Sequence, residues 1–110
     1  WRTMTGRSCV LAMWVARRGA ARAEVVADFL ASREYGLERI ADIAAAAAGQ
    51  LDLPARELER YLRENIQFSL DEESQAGLDL YFRLCAEAGL TPRAKPLEFA
   101  PTTARVGAAG

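Results

Sequence analysis

The chain has 110 residues, of which 51% are hydrophobic, and a net charge of −1 from 14 basic and 15 acidic residues. That size and apolar content suit one domain with a core and exclude global disorder. The mixed charge excludes a basic nucleic-acid stripe, no apolar run approaches the ~20 residues of a membrane span, and Trp1–Gly6 lacks the pattern of a signal peptide.

Thr5-Gly6-Arg7-Ser8 reads as a turn. It leads into Cys9–Gly19, whose centre, Val10 to Ala16, is a continuous apolar run. Such a run suits a strand covered on both faces in an α/β protein, and a buried helix segment is the alternative. Gly19 and the β-branched and aromatic content favour the strand. A central strand needs neighbours for its N–H and C=O groups, and no second strand of comparable quality follows.

The remaining elements are predicted to be helical. Apolar positions from Val26 through Phe29, Leu37, Ile40 and Ala44 predict one long helix over 20–49. Gly36 is expected to mark a bend or a tight contact, and Gly49 the stop. Pro54 opens a helix over 54–66, with Leu58, Tyr61, Leu62 and Ile66 on its apolar face. Gln67–Leu70 is an extended link that points Phe68 and Leu70 into the core. Asp71 is the best N-cap for a last helix over 72–88, and Gly89-Leu90 reads as a Schellman-like stop. Residues 91–110 read as a tail, with the last ten or so disordered.

The chain has two cysteines and no histidine. Cys9 and Cys85 read as small buried hydrophobes. The lack of histidine excludes a His-containing metal site and any Ser-His or Cys-His couple supplied by this chain alone. There is no phosphate loop, zinc spacing, dinucleotide fingerprint or nucleophile elbow. The turn Thr5–Ser8 offers hydroxyls and a cation beside the apolar run, and Thr5 and Ser8 are the candidate binding residues. Arg17-Arg18 can hold an anion but read more simply as surface residues. Trp14 reads as a core aromatic. Asp71-Glu72-Glu73 reads as helix-dipole compensation rather than a metal or catalytic cluster.

An ordered series of short runs resembles MqnA-type chorismate dehydratase, of the MqnA/MqnD family of menaquinone biosynthesis. Thr5-Gly6 followed by Val10–Arg18 is similar to that family's Thr-Gly run and the apolar strand after it. Ser32-Arg33-Glu34-Tyr35-Gly36-Leu37 is similar to its Ser-x-x-Tyr-Gly-Leu helix. Leu53-Pro54 with Tyr61-Leu62-Arg63-Glu64-Asn65-Ile66, then Gly77–Phe82 and Ala88-Gly89-Leu90, complete the series. It spans Met4 to Leu90, about four fifths of the chain. Ser8 and Cys9 depart from the proline and aromatic often found there.

The resemblance implies an α/β fold, the C-terminal part of a periplasmic-binding-protein-like type II architecture with two lobes around a cleft. Residues 1–90 would be the closing segment, with residues 9–18 the crossing strand, and 91–110 a tail. It implies a cytoplasmic lyase of the futalosine pathway that takes chorismate as its small-molecule substrate and releases water. The product is 3-[(1-carboxyvinyl)oxy]benzoate, formed without metal or cofactor, nucleic acid or membrane. The catalytic residues are expected upstream of Trp1, which makes this segment scaffold, inactive alone. The same-fold dihydroxynaphthoate synthase and a solute-binding protein of similar architecture are the alternatives. A free-standing helical interaction module is the bland reading.

Overall fold

The structure is a computed structural model that describes residues 1–102. It contains five helices in chain order, α1 (Arg2–Thr5), α2 (Ala23–Leu37), α3 (Ile40–Leu51), α4 (Ala55–Glu64) and α5 (Glu72–Glu87). They belong to two compact units. The first takes Trp1–Arg17 with Ser69–Phe99, and the second takes Arg18–Phe68.

In the second unit, the single helix expected over 20–49 is two helices. The break falls at Glu38-Arg39, and its cause is local. Arg39 leaves helical geometry at φ −119°, and its N–H bonds back only to Gly36 O, at 3.0 Å. The Tyr35 carbonyl, which a continuing helix would offer to that N–H, instead accepts from Arg39 Nη1 at 3.1 Å. The Arg39 guanidinium also lies 3.5 Å from the centre of the Tyr35 ring. A cation over an aromatic face adds a modest attraction that holds this arrangement. Gly36 touches nothing in the way a tight contact would require.

α3 runs past Gly49 to Leu51 and stops at Asp52, which sits in the left-handed region at φ 52°. Gly49 therefore does not end the helix. One helical glycine costs only ~1 kcal/mol, too little to stop an alanine-rich run. Pro54, with an extended ψ of 133°, is the N-cap of α4, and its carbonyl accepts from Glu57 and Leu58. α3 packs against α4 as a helical hairpin. Ile40 and Ala44, one turn apart, are buried. The alanines of α3 let the partner helix approach closely. On the outer face of α4, Arg63 pairs with Glu59 at 2.9 Å.

In the first unit, α5 is the organising element. The Asp71 carboxylate accepts from Ser74 N–H at 2.8 Å, which satisfies one of the free donors of the first turn. At the other end, Leu90 N–H bonds to Cys85 O and Gly89 N–H to Ala86 O, with Gly89 at φ 72°. This is the Schellman pattern. Ser74, Gly77 and Leu78 are its buried residues.

Residues 8–17 form neither helix nor strand, and no ladder pairing occurs anywhere among the described residues. The strand expected at Cys9–Gly19 is thus an irregular segment that ends in a turn at 18–20. Leu11 and Trp14 are 90% and 85% exposed, so Trp14 is not a core aromatic here. The reason is elementary: a strand is stable only with a neighbour to complete its hydrogen bonds. Phe68 is exposed while Leu70 is half-buried, so the two do not enter a core together. Residues 91–102 lack helix and strand, and the rest of the expected disordered tail, 103–110, lies outside the described residues.

Candidate functional site

The turn singled out in the sequence is folded onto the first two turns of α5. α1 spans one turn and ends at Gly6, whose φ of 70° reverses the chain. The Thr5 hydroxyl donates to Trp1 O at 2.9 Å and accepts from Arg7 N–H at 3.2 Å. It is thus committed to holding the turn.

Ser8 is held through its backbone. Its N–H donates to Glu73 Oε1 at 3.2 Å, and its carbonyl accepts from Trp1 Nε1 at 3.0 Å. The other Glu73 oxygen takes Arg7 Nη1 at 3.1 Å. On the helix side, Gly77 faces Ser8 so closely that a side chain there would overlap the Ser8 carbonyl oxygen. The absence of a Cβ at Gly77 is what lets the segment lie on the helix. Both bonds to Ser8 use its backbone, which leaves the hydroxyl out of the clamp.

The structure therefore separates the two candidate residues by role. Thr5 shapes the turn, and Ser8 carries the hydroxyl that the clamp does not use. It also gives the acidic cluster distinct tasks, with Asp71 capping the helix and Glu73 clamping the turn. Sequence reading missed Glu73 and Gly77 as partners of the turn. The signal that was present was the glycine inside an otherwise apolar helix face, which often marks a close backbone approach.

Beside the clamp lies a cavity of about 290 Å³, bounded by Trp1, Cys9, Leu11, Gly77, Leu78 and Tyr81. The Trp1 and Tyr81 rings meet edge to face, with centroids 6.0 Å apart. The Tyr81 hydroxyl is held above its usual value of 10.0, first by a hydrogen bond with Cys85, then by the charge of Cys85, by desolvation and by Cys9. Both cysteines are free thiols, Cys9 exposed and Cys85 half-buried, so neither is the buried hydrophobe expected. Arg17 and Arg18 are exposed. A second depression of about 350 Å³, in the other unit, is bounded by Leu53, Glu57, Leu58, Arg60, Tyr61 and Asn65.

Residues 1–87 match the model of a family described as menaquinone biosynthesis. The chain belongs to that family and so has a role in making menaquinone. The matched span contains the whole clamp, from Trp1 through Tyr81, and ends with α5. No characterised protein and no solved structure matched the chain in the corresponding comparisons. No helix among the described residues is long and apolar enough to cross a membrane.

Proposed function

We propose that this chain is the C-terminal segment of a chorismate dehydratase acting in the futalosine route to menaquinone. The observation that carries the reading is the ordered run of dehydratase-like segments from Thr5-Gly6 to Gly89-Leu90, lying on a span whose family is menaquinone biosynthesis. The reading brings with it a periplasmic-binding-protein-like type II fold and a cleft that receives the substrate.

The reaction removes a ring proton and a hydroxide from chorismate, and the ring becomes aromatic. A dehydration of this kind needs a base for the proton and hydrogen-bond donors for the substrate carboxylates and the departing oxygen. In this segment the Ser8 hydroxyl is the group suited to donate, because the Ser8 backbone is already fixed by Glu73 and Trp1. Thr5 contributes by fixing the turn. The base belongs to the part of the enzyme upstream of Trp1, and the segment alone is inactive.

The test is to express the whole reading frame that contains this chain and incubate the purified protein with chorismate. Disappearance of chorismate with formation of 3-[(1-carboxyvinyl)oxy]benzoate is the expected result. Failure to consume chorismate, with activity instead in the dihydroxynaphthoate-forming step, would move the chain to the sister enzyme.

A further inference from the structure

The cavity beside the clamp has two aromatic walls steeply inclined to each other. The Trp1 and Tyr81 ring centroids are 6.0 Å apart, with 69° between the ring planes. A planar guest stacked on one ring meets the other close to edge-on, and both are arrangements that aromatic pairs favour. Gly77, which has no side chain, and Leu78, only 5% exposed, add an apolar wall from α5. Cys9 and Leu11 bound the cavity from the facing segment, and both are exposed. Among the described residues, every side chain that bounds the cavity is uncharged. The Trp1 indole N–H is already committed to Ser8 O. The walls thus offer ring faces and aliphatic carbon, and no cation to hold a carboxylate or a phosphate. An apolar cavity of about 150 Å³ holds one benzene ring, so about 290 Å³ has room for two fused rings.

From these walls we infer that the cavity binds an uncharged, planar, two-ring aromatic molecule, which bridges the 8–17 segment and α5. The charge of the walls decides the class of guest. A carboxylate taken in here would lose water without gaining a partner, whereas an uncharged ring gains by leaving water. This separates the site from the one proposed for chorismate, whose carboxylates need hydrogen-bond donors. The guest touches Cys9 and Leu11 on one side and Gly77, Leu78 and Tyr81 on the other. Its binding therefore favours the state in which the segment lies on the helix, by mass action. The inference is independent of which menaquinone step the protein performs.

The test uses the protein from the whole reading frame, carrying nitrogen-15 tryptophan, and titrates it with 2-naphthol, a two-ring probe that is uncharged at neutral pH. The Trp1 indole N–H signal, identified by its loss in Trp1→Phe, is expected to shift saturably. The Trp14 signal is expected to stay in place, because Trp14 does not bound the cavity. 2-Naphthoate, the same rings with a carboxylate, is expected to bind about tenfold more weakly or worse. Alkylation of Cys9 by iodoacetamide is expected to slow several-fold at saturating 2-naphthol, while Cys85, which does not bound the cavity, keeps its rate. Tyr81→Leu keeps an apolar wall without the ring and is expected to weaken binding about three- to tenfold. The naphthol–naphthoate comparison and the alkylation rates use the parent protein, so they decide the matter even where a variant does not fold. Absence of a saturable Trp1 shift, equal affinity for 2-naphthoate, or an unchanged Cys9 rate at saturation would each overturn the inference.

Discussion

The backbone N–H of Ser8 donates to Glu73 Oε1 across 3.2 Å, although 65 positions separate the two residues in sequence. The same carboxylate takes the Arg7 guanidinium, so one side chain holds two successive residues of the turn. The Arg7 and Glu73 side chains are 48% and 42% exposed, which weakens the ion pair itself. Glu73→Ala is expected to cost about 1–2 kcal/mol, mostly from the lost bond to the Ser8 N–H. Glu73→Gln keeps a carbonyl acceptor and is expected to lose about half as much, and Arg7→Ala less than about 1 kcal/mol. Urea denaturation measures the losses, and faster hydrogen exchange at the Ser8 amide in Glu73→Ala identifies their place.

Two helical glycines are expected to answer alanine substitution with opposite signs. At Gly77 a Cβ would strike the Ser8 carbonyl, a backbone group with little freedom to retreat. Gly77→Ala is expected to destabilise by about 1–3 kcal/mol, the range for forcing extra atoms into a packed contact, even after the gain in helix propensity. At Gly36 nothing lies within 4 Å, so Gly36→Ala is expected to stabilise by about 0.5–1 kcal/mol. Thermal denaturation of both variants beside the parent protein gives the comparison, and equal signs would contradict the close approach at Gly77.

Asp52 closes α3 at φ 52°, where an L side chain crowds the following carbonyl. Asp52→Gly is expected to raise stability by up to about 1 kcal/mol, and Asp52→Asn by less, because asparagine tolerates this region better than most residues. A rise in the urea midpoint without a change in slope is the signature expected.

Tyr81 makes the chain sensitive to high pH. Its hydroxyl is held above 10.0, chiefly by the hydrogen bond with Cys85. The folded state therefore keeps this proton longer than the unfolded state does. The corresponding stability is fully present below pH 10.0 and is lost as the pH rises through the folded-state value. Subtracting the phenolate absorbance titration of Tyr81→Phe from that of the parent isolates the Tyr81 transition, which is expected above pH 10.0. Cys85→Ala is expected to move that transition downward.

Features set by a few neighbouring residues were legible in the sequence. Asp71 caps α5 through Ser74, Gly89 and Leu90 close it, and Pro54 precedes α4, each by rules that act within one turn. The break at Arg39 was not legible, because it depends on a side chain that takes the Tyr35 carbonyl from its own backbone. The run from Val10 to Ala16 was legible as apolar but not as a conformation, since pairing partners decide between strand and irregular chain. Thr5 and Ser8 were named from their hydroxyls and their place in a turn beside the apolar run. Their separation into a turn-builder and an uncommitted hydroxyl depends on Trp1 and Glu73, whose approach no local pattern encodes.

The clamp on Ser8 also sets an order of events during synthesis. Helices α2, α3 and α4 lie between the turn and the helix that receives it. A ribosome making this chain releases Trp1–Arg17 first and Glu73, Gly77 and Tyr81 only after those three helices have emerged. The nascent apolar segment must therefore wait for its dock while the α3–α4 hairpin, whose contacts are local, has time to form. Premature release or a pause before Ser69 leaves Ser8 without the Glu73 carboxylate and Trp1 without the Tyr81 ring that meet them in the folded chain.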